Sequence, residues 1–194
     1  KLNIEEIQPS RRKYPYVAFK PEREIGNEVL EVHNITKVID GVKVLDDISF
    51  RLENDDKVVF MGDDMAATAL FNILSEKDTD FEGSFKWGVT TSQDYMPKNH
   101  NEYFDGCELS LVDWLRQYSE EKSESYIRGF LGRMLFSGDE ALKEANVLSG
   151  GEKVRCVLSK MMLSGANFLI MDEPTNHLDM ESITALNEGM EKFK

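Results

Sequence analysis

The chain has 194 residues, of which 41% are hydrophobic, and its formal net charge is −13. Such a chain suffices for one domain with a sizeable core, whereas the negative charge opposes nucleic-acid binding by the body of that domain. The apolar runs at residues 58–61 and 168–171 are strand-sized, far shorter than the run of about 20 residues that crosses a bilayer. Cys107 and Cys156 lack CxxC spacing, and no signal peptide is visible at Lys1. We therefore expect a cytoplasmic protein without a membrane segment.

The N-terminal segment differs from the rest in composition. The first 24 residues carry six basic and four acidic side chains, which gives this stretch a net charge of +2 and the remainder −15. Together with Pro9, Pro15 and Pro21, this shift predicts a linker or domain edge over residues 1–27. Composition alone favours a solvated tail there. The domain proper is expected over residues 28–194.

Three strands and a helix are predicted next along the chain. Alternating apolar residues at 29–32 and 44–52, with Gly41 between them, predict two strands joined by a turn. The apolar run at 57–61 ends at Gly62 and predicts a strand buried on both faces. Apolar residues at helical spacing follow over 70–74. Strand, glycine turn and helix in this order are the context of a phosphate-binding loop.

The candidate loop at residues 62–69 lacks much of what phosphate binding requires. The pattern GxxxxGK[ST] supplies glycine amides that wrap phosphates, a lysine that neutralises them and a hydroxyl that reaches Mg²⁺. In this chain the sequence of residues 62–69 is GDDMAATA. Without a gap Thr68 replaces the lysine, and with one residue deleted Ala67 replaces it and Thr68 keeps the hydroxyl position. Both alignments lose the lysine, and Asp63 and Asp64 repel a polyanion. A strand-to-helix turn without any ligand is an equal alternative.

A pair of glycines opens the next predicted helix. The sequence LSGGE at residues 148–152 precedes apolar residues at helical spacing. Ser149 is a natural N-cap and Glu152 stands at the capping-box position, so an ordinary helix start is one interpretation. Gly150 and Gly151 weaken a first helical turn, yet they expose amides at the positive end of the helix dipole. The pair therefore indicates an anion site.

Two carboxylates follow the next apolar run. Residues 168–171 lead directly into Asp172 and Glu173, which predicts a buried strand with both carboxylates at its carboxyl end, where ligands bind in open α/β sheets. Asp172 would reach Mg²⁺, directly or through water. Glu173 would orient or deprotonate an attacking water.

LSGGE, then a helix, then DEPTNHLD at residues 172–179 resembles the ATP-binding cassette (ABC) family. The NHLD ending together with LSGGE resembles the soluble ABC-F branch more than the transporter branch. Over residues 29–194 the resemblance implies an α/β fold, with a P-loop NTPase (RecA-like) core, an antiparallel β subdomain and an α-helical subdomain inserted at about residues 95–150. Trp114, Phe130 and Leu131 are expected in the core of that subdomain.

The resemblance also implies ATP and Mg²⁺ as cofactors and assigns site residues. Glu173 would be catalytic, and Thr68, Gln93 and Asp172 would serve Mg²⁺. The ATP-binding residues would be Gly62, Thr68, Gln93 (at the Q-loop position), Ser149, Gly150, Gly151, Asp172 and Asp179.

Two departures from the family pattern weaken the chain's own site. Val38 or Ile39 stands where family members usually stack an aromatic ring on adenine. The chain also stops at Lys194, before the position of the switch histidine, and His177 belongs to the D-loop instead. We therefore expect weaker than low-micromolar ATP binding by this chain alone.

Two cassettes of this family bind ATP between them, so the resemblance implies that different parts of this chain serve different nucleotides. Ser149, Gly150 and Gly151 would contact ATP held by a partner cassette, whereas Asp172 and Glu173 would face the chain's own damaged loop. We therefore expect a second, C-terminal cassette whose competent partner lies upstream in the same polypeptide.

The ABC-F resemblance predicts an action on the ribosome. Residues 1–27 resemble the exit of the linker that ABC-F proteins insert there, and Arg11, Arg12 and Lys13 are candidates for rRNA phosphate contacts. The alternatives are a nucleotide-binding subunit of a membrane transporter and a regulatory cassette that closes on a partner without hydrolysing ATP.

Overall fold

The computed structural model describes residues 14–193. Arg11, Arg12 and Lys13, the candidates for rRNA contact, lie outside these residues. Two short 3₁₀ helices span Gly138–Leu142 and Ala145–Val147. The strands are β1 (Glu28–Ile39), β2 (Val42–Glu53), β3 (Glu82–Trp87), β4 (Gln93–Met96) and β5 (Phe168–Met171). The α-helices are α1 (Asp64–Leu74), α2 (Asn101–Phe104), α3 (Leu111–Arg116), α4 (Glu124–Arg133), α5 (Gly150–Ser164) and α6 (Met180–Lys192).

The antiparallel sheet has the strand order β2-β1-β3. Its predicted hairpin turns at Asp40 and Gly41, whose φ angles are 49° and 79°. Two successive positive φ angles are typical of type I′ turns, whose twist matches that of the flanking strands. Apolar residues of β1, among them Ile35, face the apolar side of α1, including Ile73, and both side chains are fully buried. This packing fixes α1 against the sheet.

The second sheet is the parallel pair β4 and β5. Met96 pairs with Met171 in register, so the two strands end side by side. Helices α2, α3, α4 and α5 occur between the two strands in the sequence, as a crossover between parallel strands requires. Because parallel strands present their carboxyl ends at one edge, the residues after Met96 and after Met171 meet there.

The inserted helices α2, α3 and α4 pack into a core that also includes Met96 of β4 and residues of α5 and α6. Trp114 and Leu131 are 1% and 0% exposed and Phe130 is 9% exposed, which confirms their predicted burial. The Trp114 ring stacks on Phe104 at a centroid distance of 4.8 Å, and its Nε1–H donates to the Tyr103 carbonyl at 2.9 Å. The fold is therefore mixed α/β with an antiparallel sheet, as predicted. Over residues 14–193 no helix combines the length and apolar character needed to span a membrane.

Residues 57–61 do not form the predicted buried strand. They pair with no other strand of residues 14–193, and Val59 and Met61 are 82% and 93% exposed. Phe60 contacts the rings of Phe50, tilted, and Phe71, edge to face, each at a centroid distance of 5.6 Å. The apolar pattern predicted the strand, but a strand also needs a neighbour that accepts its backbone hydrogen bonds.

The segment at residues 14–25 is packed, and the expectation of a solvated tail is wrong there. Val17 and Phe19 are 5% and 7% exposed. The Tyr16 N–H donates to the Arg133 carbonyl at 2.7 Å and the Glu22 N–H to the Gly165 carbonyl at 2.9 Å. The segment thus crosses from the end of α4 to the end of α5. Its few apolar side chains decide its packing, although its average composition is that of a linker.

Candidate nucleotide-binding site

The candidate phosphate loop passes almost at once into α1. Gly62 has a φ of 146°, a conformation that glycine tolerates best, and Asp63 is the N-cap of α1. Asp63 Oδ1 accepts hydrogen bonds from the N–H groups of Met65 at 2.7 Å and Ala66 at 3.3 Å. Such amides at a helix N-terminus are the donors that a bound phosphate uses. The chain's own carboxylate therefore occupies the anion-binding end of α1.

Thr68 and Asp172 form a pair of oxygen ligands beside this loop. The Thr68 hydroxyl donates to Asp172 Oδ2 at 2.6 Å, as the alignment that keeps Thr68 at the hydroxyl position requires. Asp172 is 3% exposed, and burial raises its pKa. A desolvated carboxylate next to a hydroxyl fits Mg²⁺, which usually takes one or two carboxylates together with phosphate and water oxygens. Thr68 and Asp172 would hold the ion, whose charge would offset that of the phosphates.

Glu173 is held at both of its carboxylate oxygens. Lys98 donates to Oε1 and Asn176 donates to Oε2. The hydrogen bond from Lys98, with a smaller contribution from Asn176, lowers the pKa of Glu173. Lys98 also pairs with Asp64, at 3.4 Å. Because a lower pKa makes a carboxylate a weaker general base, Glu173 is poorly prepared to deprotonate water in this arrangement.

Gln93 lies at the wrong end of its strand for the predicted role in ATP and Mg²⁺ binding. It pairs with Phe168 at the start of β5, whereas Asp172 follows the end of β5. The strand length between these ends is roughly 10 Å. Gln93 Oε1 is buried and has no hydrogen-bond partner in residues 14–193. The side chain that reaches Glu173 from beyond the end of β4 is Lys98, which the sequence motifs did not single out.

The predicted capping box at the start of α5 is present. Ser149 Oγ accepts from the Glu152 N–H at 3.4 Å, and Glu152 Oε2 accepts from the Ser149 N–H at 2.9 Å. Lys143 donates to Glu152 Oε1 at 3.0 Å. Burial raises the pKa of Glu152, but the bonds from Ser149 and Lys143 prevail and lower it to about 2. Ser149 and Gly150 are exposed, and the amides of Gly150 and Gly151 bond to no acceptor within residues 14–193.

His177 packs directly on the two glycines of this helix start. A Cβ atom on Gly150 would lie 3.1 Å from His177 Cγ, and one on Gly151 would lie 2.7 Å from the His177 carbonyl oxygen. Only residues without a side chain allow this approach. Asp179 is the N-cap of α6, because its Oδ1 accepts from the Ser182 N–H at 2.8 Å.

The predicted site residues thus fall into two groups. Gly62, Thr68, Asp172 and Glu173 lie around the loop together with Lys98, whereas Ser149, Gly150 and Gly151 lie against His177, two residues before Asp179. No hydrogen bond or ion pair within the described part of the chain joins the first set to the second. The first group has hydroxyl and carboxylate oxygens of the kind that Mg²⁺ prefers, and the second has free amides at a helix N-terminus.

The capping role of Asp63 leads to a testable prediction. Asp63→Asn keeps a side-chain acceptor for the amides of Met65 and Ala66 but removes a negative charge from the phosphate path. We expect a fluorescent ATP analogue with Mg²⁺ to bind this variant about threefold to tenfold more tightly than the native chain. The matched control is Asp56→Asn, since Asp56 also accepts a backbone bond, from Glu53 at 2.8 Å, outside the site. Unchanged or weaker binding by Asp63→Asn would contradict the prediction.

Comparisons with known proteins find a matching family and similar relatives. The family model described as ABC transporter matches residues 45–176. The chain is 64% identical over 196 residues to the ABC transporter ATP-binding protein YkpA of Bacillus subtilis. This alignment covers 100% of the chain and 36% of YkpA. The chain is 30% identical over 199 residues to the energy-dependent translational throttle protein EttA of Escherichia coli. That alignment covers 99% of the chain and 35% of EttA. The chain therefore spans about a third of the length of these relatives.

Solved structures show the same fold. The ATP-binding cassette MJ0796, in a dimeric post-hydrolysis state with ADP and Pi, superposes with a TM-score of 0.67 at 15% identity. The superposition covers 84% of this chain and 82% of that chain.

Proposed function

Because the chain belongs to the ATP-binding cassette family, we propose that it is the second cassette of an ABC-F type ATPase that acts on the ribosome. Together with a cassette upstream in the same polypeptide it would hydrolyse ATP in the cytoplasm, with Mg²⁺ as cofactor. In this pair its Ser149, Gly150 and Gly151 would serve ATP held by the partner. Its own loop at residues 62–69 would bind ATP weakly.

One observation carries the proposed division between the two sites. At the start of α5 the amides of Gly150 and Gly151 are unbonded within residues 14–193, whereas at the start of α1 the amides of Met65 and Ala66 already bond Asp63. Both helix ends attract anions through their dipoles. At the α5 end two consecutive first-turn amides are therefore unbonded, whereas at the α1 end the Asp63 carboxylate already accepts from two of them.

The exposed position of the α5 end suits a nucleotide carried by another cassette. Ser149 and Gly150 are exposed, and the capping box with Glu152 holds the helix start in place. The bond from Lys143 to Glu152 strengthens this frame. A fixed pair of amides can bind a phosphate without first reorganising, which is the condition for electrostatic stabilisation of a transition state.

The arrangement of Glu173 also supports a non-hydrolysing role for the chain's own site. Both carboxylate oxygens accept hydrogen bonds, from Lys98 and Asn176, and the pKa of Glu173 is lowered. A regulatory cassette, which closes on its partner without hydrolysing its own ATP, is therefore the second candidate and is compatible with the first.

The proposed action on the ribosome rests on EttA, whose name describes a translational throttle, and on the sequence motifs. Co-sedimentation of the full-length protein with ribosomes tests it, in ATP with hydrolysis blocked and in ADP. We expect the protein in the ribosomal pellet with trapped ATP and in the supernatant with ADP. Recovery with a membrane fraction instead, in either nucleotide, would favour the transporter alternative and contradict the proposal.

A further inference from the structure

The loop at residues 62–69 contains no lysine or arginine, but a cation reaches the same place from another element. Lys98 lies beyond the end of β4, two residues after Met96. Its ammonium group bonds Glu173 Oε1 and lies 3.4 Å from Asp64 Oδ2. Asp64 is the first residue of α1 and Glu173 follows the end of β5, so Lys98 connects both walls of the candidate site.

Lys98 lines the same cavity as Thr68, one of the two residues that would hold the metal ion. The volume of this cavity is about 330 Å³, and its lining includes Thr68, Lys98, Asp64 and Asn72. Within residues 14–193, Lys98 is the one cationic side chain among those that line it. The side chain is 41% exposed, so the ammonium can turn from its carboxylate partners toward a ligand in the cavity.

The side chains around this cavity carry negative charge that a cation would offset. Asp64 and Asp78 line the cavity, Asp172 and Glu173 follow the end of β5 nearby, and a nucleoside triphosphate would add further negative charge. These carboxylates and the phosphates repel one another, and removal of water from the site makes the repulsion stronger. One Mg²⁺ at Thr68 and Asp172 and one ammonium would offset part of it. An ammonium acts as a point charge and needs no fixed direction of approach.

We propose that Lys98 supplies the positive charge that the loop lacks and binds the terminal phosphates of a Mg²⁺-nucleoside triphosphate at the chain's own site. Without nucleotide, the Lys98 ammonium group bonds Glu173 and pairs with Asp64. When the phosphates bind, the ammonium group bonds them instead, and Glu173 loses one of its two hydrogen bonds. This inference rests on the proposed function and deepens it, because it names the residue that would bind the phosphates at the chain's own site.

Nucleotide titration of the chain and its variants tests the proposal. Fluorescent analogues of ATP and AMP are titrated, each with Mg²⁺, against the native chain, Lys98→Ala and Lys98→Arg. Removal of a charge-assisted phosphate contact should weaken binding of the ATP analogue about tenfold or more and leave that of the AMP analogue within about twofold. Lys98→Arg keeps the charge and should stay within about threefold of the native chain.

Lys77→Ala is the matched control. Lys77 is 38% exposed, is paired with Glu102 and follows the far end of α1, roughly 15 Å from the loop. It should bind both analogues like the native chain, and thermal unfolding should show that all variants fold.

Three results would overturn the proposal: equal binding of the ATP analogue by the native chain and Lys98→Ala, tighter binding by Lys98→Ala, or no binding by the native chain. None of these results concerns the start of α5 at Ser149. The role of that helix start is tested separately, by ATP turnover of the full-length protein.

Discussion

Ser149→Arg is expected to lower ATP turnover by the full-length protein about a hundredfold or more, whereas Glu173→Gln should lower it less than about threefold. Arginine cannot accept the hydrogen bond that the Ser149 hydroxyl takes from the Glu152 N–H. Its long side chain would also fill the space that a partner's nucleotide needs. Glu173 faces the chain's own weak site, and its loss should matter little for hydrolysis at the partner's loop.

Ser137→Arg is the control for this pair of substitutions. At the start of the 3₁₀ helix Gly138–Leu142 the Ser137 N–H donates to Glu140 Oε2 at 3.3 Å, as the Ser149 N–H does to Glu152. Replacement of Ser137 should change stability by about 1 kcal/mol or less and leave turnover near that of the native protein. Steady-state phosphate release at saturating ATP measures all three variants. Equal losses in Ser149→Arg and Glu173→Gln would refute the proposed asymmetry.

Gly151→Ala should also lower turnover, by about a hundredfold, because it displaces the start of α5 or the segment around His177 by a small distance. The new Cβ would lie 2.7 Å from the His177 carbonyl oxygen, which is backbone and cannot rotate away. The segment around His177 or the start of α5 must shift, and shifts of about 1 Å at a catalytic surface have effects of this size.

Gly132→Ala is the matched control for Gly151→Ala. Gly132 lies in α4, and no atom would come within 4 Å of a new Cβ atom there. Alanine in a helix is favoured over glycine by about 0.5–1 kcal/mol, so this variant should be as stable as the native protein or more so, with unchanged turnover. Native-like turnover by Gly151→Ala would show that the close packing of His177 on the glycines has no role in catalysis.

The features that could be predicted from sequence depend on neighbours along the chain. The hairpin turn at Gly41 and the capping box of Ser149 and Glu152 are set by residues at most a few positions apart. The alignment that keeps Thr68 at the hydroxyl position agrees with its hydrogen bond to Asp172, and its role toward Mg²⁺ stays a prediction. Burial of Trp114 followed from its size and apolar surroundings.

The features that sequence reasoning missed depend on contacts between distant elements. Lys98 reaches Glu173 because β4 and β5 are parallel and in register, and a single sequence does not reveal that pairing. Gln93 was assigned to the site through the family resemblance, which did not show which end of β4 lies beside Asp172. The aspartate Asp63 was predicted to repel phosphate, yet its capping of α1 appears only in the structure. Residues 57–61 have the composition of a strand but no strand partner in residues 14–193.

We propose that this chain binds a partner's ATP through its own α5 helix start, while its own loop is the weaker site. A structure of the full-length protein with Mg²⁺ and ATP, under blocked hydrolysis, would test this proposal. We expect a triphosphate in contact with Ser149 and the amides of Gly150 and Gly151, and lower occupancy at residues 62–69. Full occupancy at residues 62–69, with no nucleotide against Ser149, would contradict it.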